Sequence, residues 1–91
     1  MIPKLTLIAA ALVLSASAAS AQSCMVSDPT GTPLNVRAAA GGTILGKLRN
    51  GSNVTLIDTI DDSRGRRWAE VSAPGYRQSV WVFREFVSCR N

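Results

Sequence analysis

The sequence predicts a small all-β protein, a sandwich or barrel of about five short strands, and three observations carry that expectation. Short apolar stretches recur at roughly even spacing, over residues 34–37, 44–48, 54–60, 68–71 and 80–82. Runs of turn formers separate them, at 28–33, 50–51, 61–65 and 73–75. The two cysteines of the chain, Cys24 and Cys89, stand at the two ends of the region that follows an apolar leader. Strands this short and this evenly punctuated belong to a curled or stacked sheet and not to a helical fold.

The leader is set aside first. Lys4 supplies a positive start, residues 5–14 an apolar run, and Ala19-Ser20-Ala21 a small-residue cleavage site. The run falls short of the roughly 20 residues that span a bilayer, so the reading is a signal peptide over 1–21, with cleavage after Ala21. No membrane span is then expected in the mature chain. A lipid-anchored alternative would use Cys24, but Gln22 stands where a lipid-attachment motif wants a small residue. The remaining domain, 22–91, is expected in the periplasm or outside the cell. A core of that size supplies only a few kcal/mol of net stability, and such domains usually carry a staple. Export places the thiols in an oxidising compartment, and two cysteines allow one pairing. Joining Cys24 to Cys89 would stabilise the fold by roughly 4 kcal/mol on the chain-entropy model.

The formal net charge is +4, and beyond the leader every basic residue but Lys47 is arginine. Such a chain suits anionic envelope surfaces, such as peptidoglycan carboxylates or lipid phosphates; the same charges also serve as an ordinary solvated surface. Nucleic acid is not an expected partner of an exported protein.

In chain order, residues 23–27 read as a first strand carrying Cys24 and Val26, and 28–33 as a loop rich in turn formers. Leu34-Asn35-Val36-Arg37 alternates apolar and polar as a strand does, and 38–42 is a loop of small residues. Ile44, Leu45 and Leu48, with Gly46 among them, read as a weak or bulged strand. Asn50-Gly51 is a tight-turn signal. Val54, Leu56 and Ile60 then fall on alternate positions, opposite Thr55 and Thr59, with Ile57 breaking the pattern. Residues 61–65 read as a hairpin loop, 66–71 and 76–82 as strands, 83–86 as one helical turn and 87–89 as the closing strand.

Chemistry is sparse. The chain has no histidine, its cysteines are expected in a disulfide, and no serine lies in a nucleophile-elbow context. Neither a catalytic triad nor a typical metal site can be assembled from these residues, so no enzyme activity and no cofactor are expected. Asp58, Asp61 and Asp62 are the only acidic cluster, and a polar hairpin loop accounts for them.

The order Leu34-Asn35-Val36-Arg37, small-residue loop, 44–48, Gly51-x-x-Val54-x-Leu56, Trp68-x-x-Val71, Trp81-Val82 and Phe86-Val87 resembles the bacterial SH3-like (SH3b) domain family over roughly residues 24–89. Two departures are Val80, where the family generally has glycine, and the 38–42 loop, where it often has Ser-Gly-Pro. The resemblance implies an SH3-like barrel whose terminal strands lie side by side, which also supports pairing Cys24 with Cys89. It implies a binding role as well. Some members bind peptidoglycan when attached to wall hydrolases, and the eukaryotic relatives bind proline-rich peptides through an aromatic groove. Matched residue by residue, that groove falls on Trp68, Phe83 and Phe86. Phenylalanine at the last two positions keeps an apolar surface but loses the proline wedge and the tyrosine hydroxyl, so a proline-rich ligand is not favoured.

Two readings of Trp68 stand side by side. With Ala69 and Val71 facing the core, Trp68 points outward, either as an exposed binding anchor beside Arg66 and Glu70 or folded under the 38–42 loop as satellite core. Arg64, Arg66 and Arg67 would either clamp an anion or guard a hairpin edge against aggregation. The expectation is a non-catalytic module with Trp68, Phe83, Phe86, Arg66 and Arg67 as candidate groove residues, taking a peptidoglycan fragment or an envelope protein or peptide. The alternative is an accessory protein that holds an envelope partner through a sheet edge.

Overall fold

In Leu34–Arg37 the alternation is realised as side-chain placement: Leu34 and Val36 are buried, while Asn35 and Arg37 face the other way. A computed structural model describes residues 21–89, so the signal peptide expected over 1–21 lies, but for Ala21, outside the described residues. Within that range the strands are β1 (Gln22–Val26), β2 (Leu34–Arg37), β3 (Ile44–Leu48), β4 (Asn53–Asp61), β5 (Arg67–Ser72), β6 (Val80–Phe83) and β7 (Val87–Cys89), with one 3-10 turn, Arg84–Phe86, before β7. They form one antiparallel sheet in the order β3-β2-β6-β5-β4-β1-β7.

Seven strands appear where about five were expected, because the segments at 23–27 and 87–89 both join the sheet, the first between β4 and β7 and the second on β1 alone. The expected barrel is not closed by hydrogen bonds: β3 pairs only with β2 and β7 only with β1. The sheet is nevertheless rolled. All seven strands send side chains into one buried cluster, from Cys24 and Val26 through Leu34, Val36, Leu48, Val54, Leu56, Ala69, Val71, Val80 and Val82 to Val87. A flat sheet could not gather its two ends around one core. Beside Leu48, β3 also meets the Tyr76 side chain: a Cβ on Gly46 would overlap the tyrosine hydroxyl oxygen, so only glycine admits it there.

Two bulges set the curvature. Leu45 is the extra residue where the β2–β3 register shifts, which is the bulge expected beside Gly46. In β4 the shift falls between Leu56 and Asp58, with Ile57 the extra residue. An inserted residue moves everything beyond it to the other face. Leu56 therefore points into the core opposite Val71, whereas Ile60, expected on the same face as Leu56, points outward opposite Trp68.

The strand expected over 76–82 is shorter. Its first residues form a loop that turns at Ala73, with the Tyr76 N–H donating to the Ala73 carbonyl, and swings the Tyr76 ring to the core. The turn at Asn50-Gly51 forms as expected, with Gly51 at φ +86°. Cys24 and Cys89 face each other across β1 and β7, with Cα atoms 4.1 Å apart, and are joined by a disulfide that closes a 65-residue separation.

Candidate functional site

The face of the sheet away from the core is where the candidate residues meet. On β5 and β6, Ala69 pairs with Val82 and Val71 with Val80, all four buried in the core. The alternate pairs, Trp68 with Phe83 and Glu70 with Trp81, therefore lie on the outer face. Trp68 and Phe83 stack with ring centroids 4.2 Å apart, and Phe86, from the 3-10 turn, meets Phe83 edge-on at 6.2 Å. Such aromatic pairs add about 0.5–1.5 kcal/mol beyond their buried area.

Although it lies on the outer face, Trp68 is only 1% exposed. The 38–42 loop covers it: a Cβ on Gly41 would lie 4.0 Å from Cζ2 of its ring. Arg37 holds that loop down. One guanidinium N–H donates to the Gly42 carbonyl at 3.0 Å, and the guanidinium carbon sits 5.6 Å from the Trp68 ring centroid. Arg66 lies 5.8 Å from the Trp68 ring and 5.6 Å from that of Phe83. Of the two readings of Trp68, burial beneath the small-residue loop is the one the structure shows. Phe83 and Phe86 are half-buried, and Phe86 also packs on the core.

Asp62 organises the turn that seals the other flank. Its carboxylate accepts the indole N–H of Trp68 at 3.0 Å, the backbone N–H groups of Arg64 and Arg66 at 2.8 and 2.9 Å, and Nε–H of Arg66 at 3.0 Å. These donors, the indole first and the Arg66 amide next, hold the Asp62 carboxyl well below its usual pKa, because each favours the charged form. Arg67 points away from the rings. It pairs with Asp61 at 2.9 Å with both side chains more than half exposed, and the pair lowers the Asp61 pKa and raises that of Arg67.

The structure therefore brings Trp68, Phe83, Phe86 and Arg66 together and leaves Arg67 on the rim. Both candidate arginines already have a carboxylate partner. Among the described residues, no three metal-ligating side chains converge. Two residues outside the candidate set shape the site. Asp62 reads in the sequence only as loop polarity, and its role depends on a hairpin geometry that spacing does not reveal. Trp81 is the tryptophan that reaches the surface, and its signal was present in the sequence: it sits between two valines, Val80 and Val82, that take the core face. Compared with protein-family models, with curated proteins and with solved structures, the chain matches none.

Proposed function

We propose that this chain is an exported SH3-like module of the cell envelope that acts by binding, without catalysis, and takes a peptidoglycan fragment or a peptide on the outer face of its sheet. The observation that carries the reading is the half-buried aromatic surface of Phe83 and Phe86, built on a sealed tryptophan and flanked by Arg66. Its floor is fixed before any ligand arrives, so little ordering entropy is lost on binding. Phe83 and Phe86 supply apolar contact, Trp68 supports Phe83 from beneath, and Arg66 orients an anionic group beside the rings, while Arg67, expected in the groove, stays paired with Asp61 away from them. The rolled sheet and the small-residue loop over the tryptophan fit the SH3-like reading.

The test is co-sedimentation of the oxidised mature protein with purified peptidoglycan sacculi, repeated at raised salt. Salt weakens exposed charge contacts and leaves apolar ones largely intact. Sedimentation that survives salt and is lost in Phe83→Ala is the expected result. Binding that salt abolishes would reduce the interaction to positive charge on an anionic polymer.

A second reading rests on β3. This edge strand leaves Ile44 and Leu45 48% and 53% exposed, beside a ladder paired on one side only. Such an edge invites an added strand from a protein partner. In that case one envelope protein co-purifies with the chain, and Phe83→Ala leaves the complex intact while Leu45→Lys disrupts it.

A further inference from the structure

We infer that Trp81, Glu70 and Asp58 form a subsite for a primary ammonium group, carried on an aliphatic side chain of an extended peptide. The inference rests on the binding reading above and names the chemistry that the neighbouring part of the same face would select.

The three residues form one row across β6, β5 and β4: Trp81 stands opposite Glu70, and Glu70 opposite Asp58. With strands spaced 4.7–4.9 Å apart, the row spans about 10 Å. Trp81 is half-buried; its indole N–H has no hydrogen-bond partner among the described residues and is open to solvent. Glu70 is half-buried, and one of its oxygens is held by the Ser79 hydroxyl, which leaves the other without a donor among the described residues. Asp58 is exposed, and one oxygen accepts the backbone N–H of Thr59 at 2.8 Å.

The charge arrangement indicates what is missing. Like charges placed directly opposite on adjacent strands destabilise a sheet. Elsewhere in this molecule the aspartates of the hairpin each have an arginine, Asp61 with Arg67 and Asp62 with Arg66. Asp58 and Glu70 face each other, and neither forms an ion pair among the described residues. Arg37, opposite Trp81 on the other side, forms no ion pair with either of them; its guanidinium donates to the Gly42 carbonyl and lies over the Trp68 ring. The result is a pair of carboxylates without an ion-pair partner among the described residues, beside a half-buried tryptophan, on a chain of net charge +4. A cation there gains both a carboxylate pair and the negative face of the indole.

The geometry selects among cations. Calcium wants six to eight converging oxygens, which two carboxylates on a flat row do not offer. An ammonium on a flexible aliphatic stem fits better: the stem lies along the indole and the compact charge reaches Glu70 and Asp58. A peptide strand laid over Phe83 and Trp81, which are two residues apart on the same face of β6, would present such a side chain to the row.

The test uses the oxidised mature protein and two probes, an N-acetylated, C-amidated Ala-Lys-Ala tripeptide and the same peptide acetylated on the lysine amine. NMR follows the indole N–H resonances of Trp81 and Trp68, assigned by single substitution. The free-amine peptide is expected to shift the Trp81 resonance saturably and leave that of Trp68 in place. The acetylated peptide should bind at least about tenfold more weakly, as should Glu70→Gln, while Asp58→Asn loses less. Glutamine and asparagine keep the carbonyl oxygens that Ser79 and Thr59 bond, and an unmoved Trp68 resonance confirms that each variant is folded. Equal binding of both peptides, or no movement of Trp81 at saturating probe, overturns the subsite. Sacculus binding separates the two levels of the argument. If sacculi bind Glu70→Gln as well as wild type while the tripeptide fails, the binding module stands and the ammonium subsite falls. If the tripeptide binds and sacculi do not, the subsite stands and the wall ligand falls.

Discussion

The two tryptophans lie on the same face of the same sheet, on adjacent strands, and they end in opposite environments. Trp68 is sealed: the 38–42 loop lies over it, Asp62 takes its N–H, and two guanidinium groups approach its ring. Trp81 is half-buried with its N–H free among the described residues, beside two carboxylates that have no arginine. Strand alternation decides which face a side chain takes. Whether that face is wet is decided by the loops that fold over it, and here the loops favour one tryptophan only. The same feature divides labour across the outer face, with a rigid support at Trp68 and an accessible surface from Phe83 to Trp81.

The comparison breaks or holds first on stability. Trp68→Ala removes a fully buried ring, leaves a cavity and strips Asp62 of a donor, so a loss of about 3–5 kcal/mol is expected in urea denaturation. Trp81→Ala deletes a ring already in contact with water, and about 1 kcal/mol is expected. Equal losses would mean that the sealed and open environments are not distinct. For function the order reverses: a folded Trp81→Ala protein loses the tripeptide while keeping its core.

Cleaving the disulfide is the next largest perturbation, worth about 4 kcal/mol on the chain-entropy model. Cys24 and Cys89 sit on β1 and β7, away from both rings, yet all seven strands share one core. Reduction should therefore lower the melting temperature sharply and shift both tryptophans in a single transition. Separate transitions for two variants, each carrying one tryptophan, would show that the sealed cluster is an independent unit.

The inner face offers a third region against which to set the other two. Gly46→Ala drives a methyl into the Tyr76 hydroxyl and should cost about 1–3 kcal/mol through overpacking. Tyr76→Phe removes the obstructing oxygen, so the double variant is expected to recover part of the loss; strictly additive losses would show that the two residues do not meet. Because Tyr76 acts on the core side, neither change should move the Trp81 resonance.

Much of the all-β architecture was legible because it depends on local pattern. The alternation in Leu34-Asn35-Val36-Arg37, the Asn50-Gly51 turn, the small-residue loop and the pairing of two terminal cysteines each rest on neighbouring residues or on counting. What was not legible depends on register. One inserted residue at Ile57 moves Ile60 out of the core; the break in alternation at Ile57 is visible in the sequence, but whether it is a bulge that turns Ile60 outward depends on the pairing with β5. Tyr76 was expected in a strand and instead turns inward, because its partner, Gly46, is far away in sequence. The site followed the same division. The resemblance to SH3-like domains implied a neighbourhood of Trp68, Phe83 and Phe86, but covering Trp68 required the 38–42 loop, Arg37 and Asp62 to arrive together.

Acid gives the gentlest test of that cover. The Asp62 carboxyl is held below its usual pKa by the Trp68 indole, the Arg66 and Arg64 amides and the Arg66 guanidinium. Unfolding returns it to an ordinary aspartate near pKa 3.9, so the unfolded chain binds the proton more readily. The stabilisation is therefore fully present above about pH 4 to 5 and is lost as the pH falls toward the folded value. Asp62→Asn should lower stability at neutral pH and flatten the acid limb of a plot of melting temperature against pH. Asp61 and Asp28, also held low by Arg67 and by Thr30, keep the limb from flattening completely. On the acid side Trp68 fluorescence should move toward that of a solvated indole before Trp81 changes, since only Trp68 has its N–H on a carboxylate. An acid limb identical in wild type and Asp62→Asn would remove Asp62 from the cover, leaving the 38–42 loop and Arg37 to account for the difference between the two tryptophans.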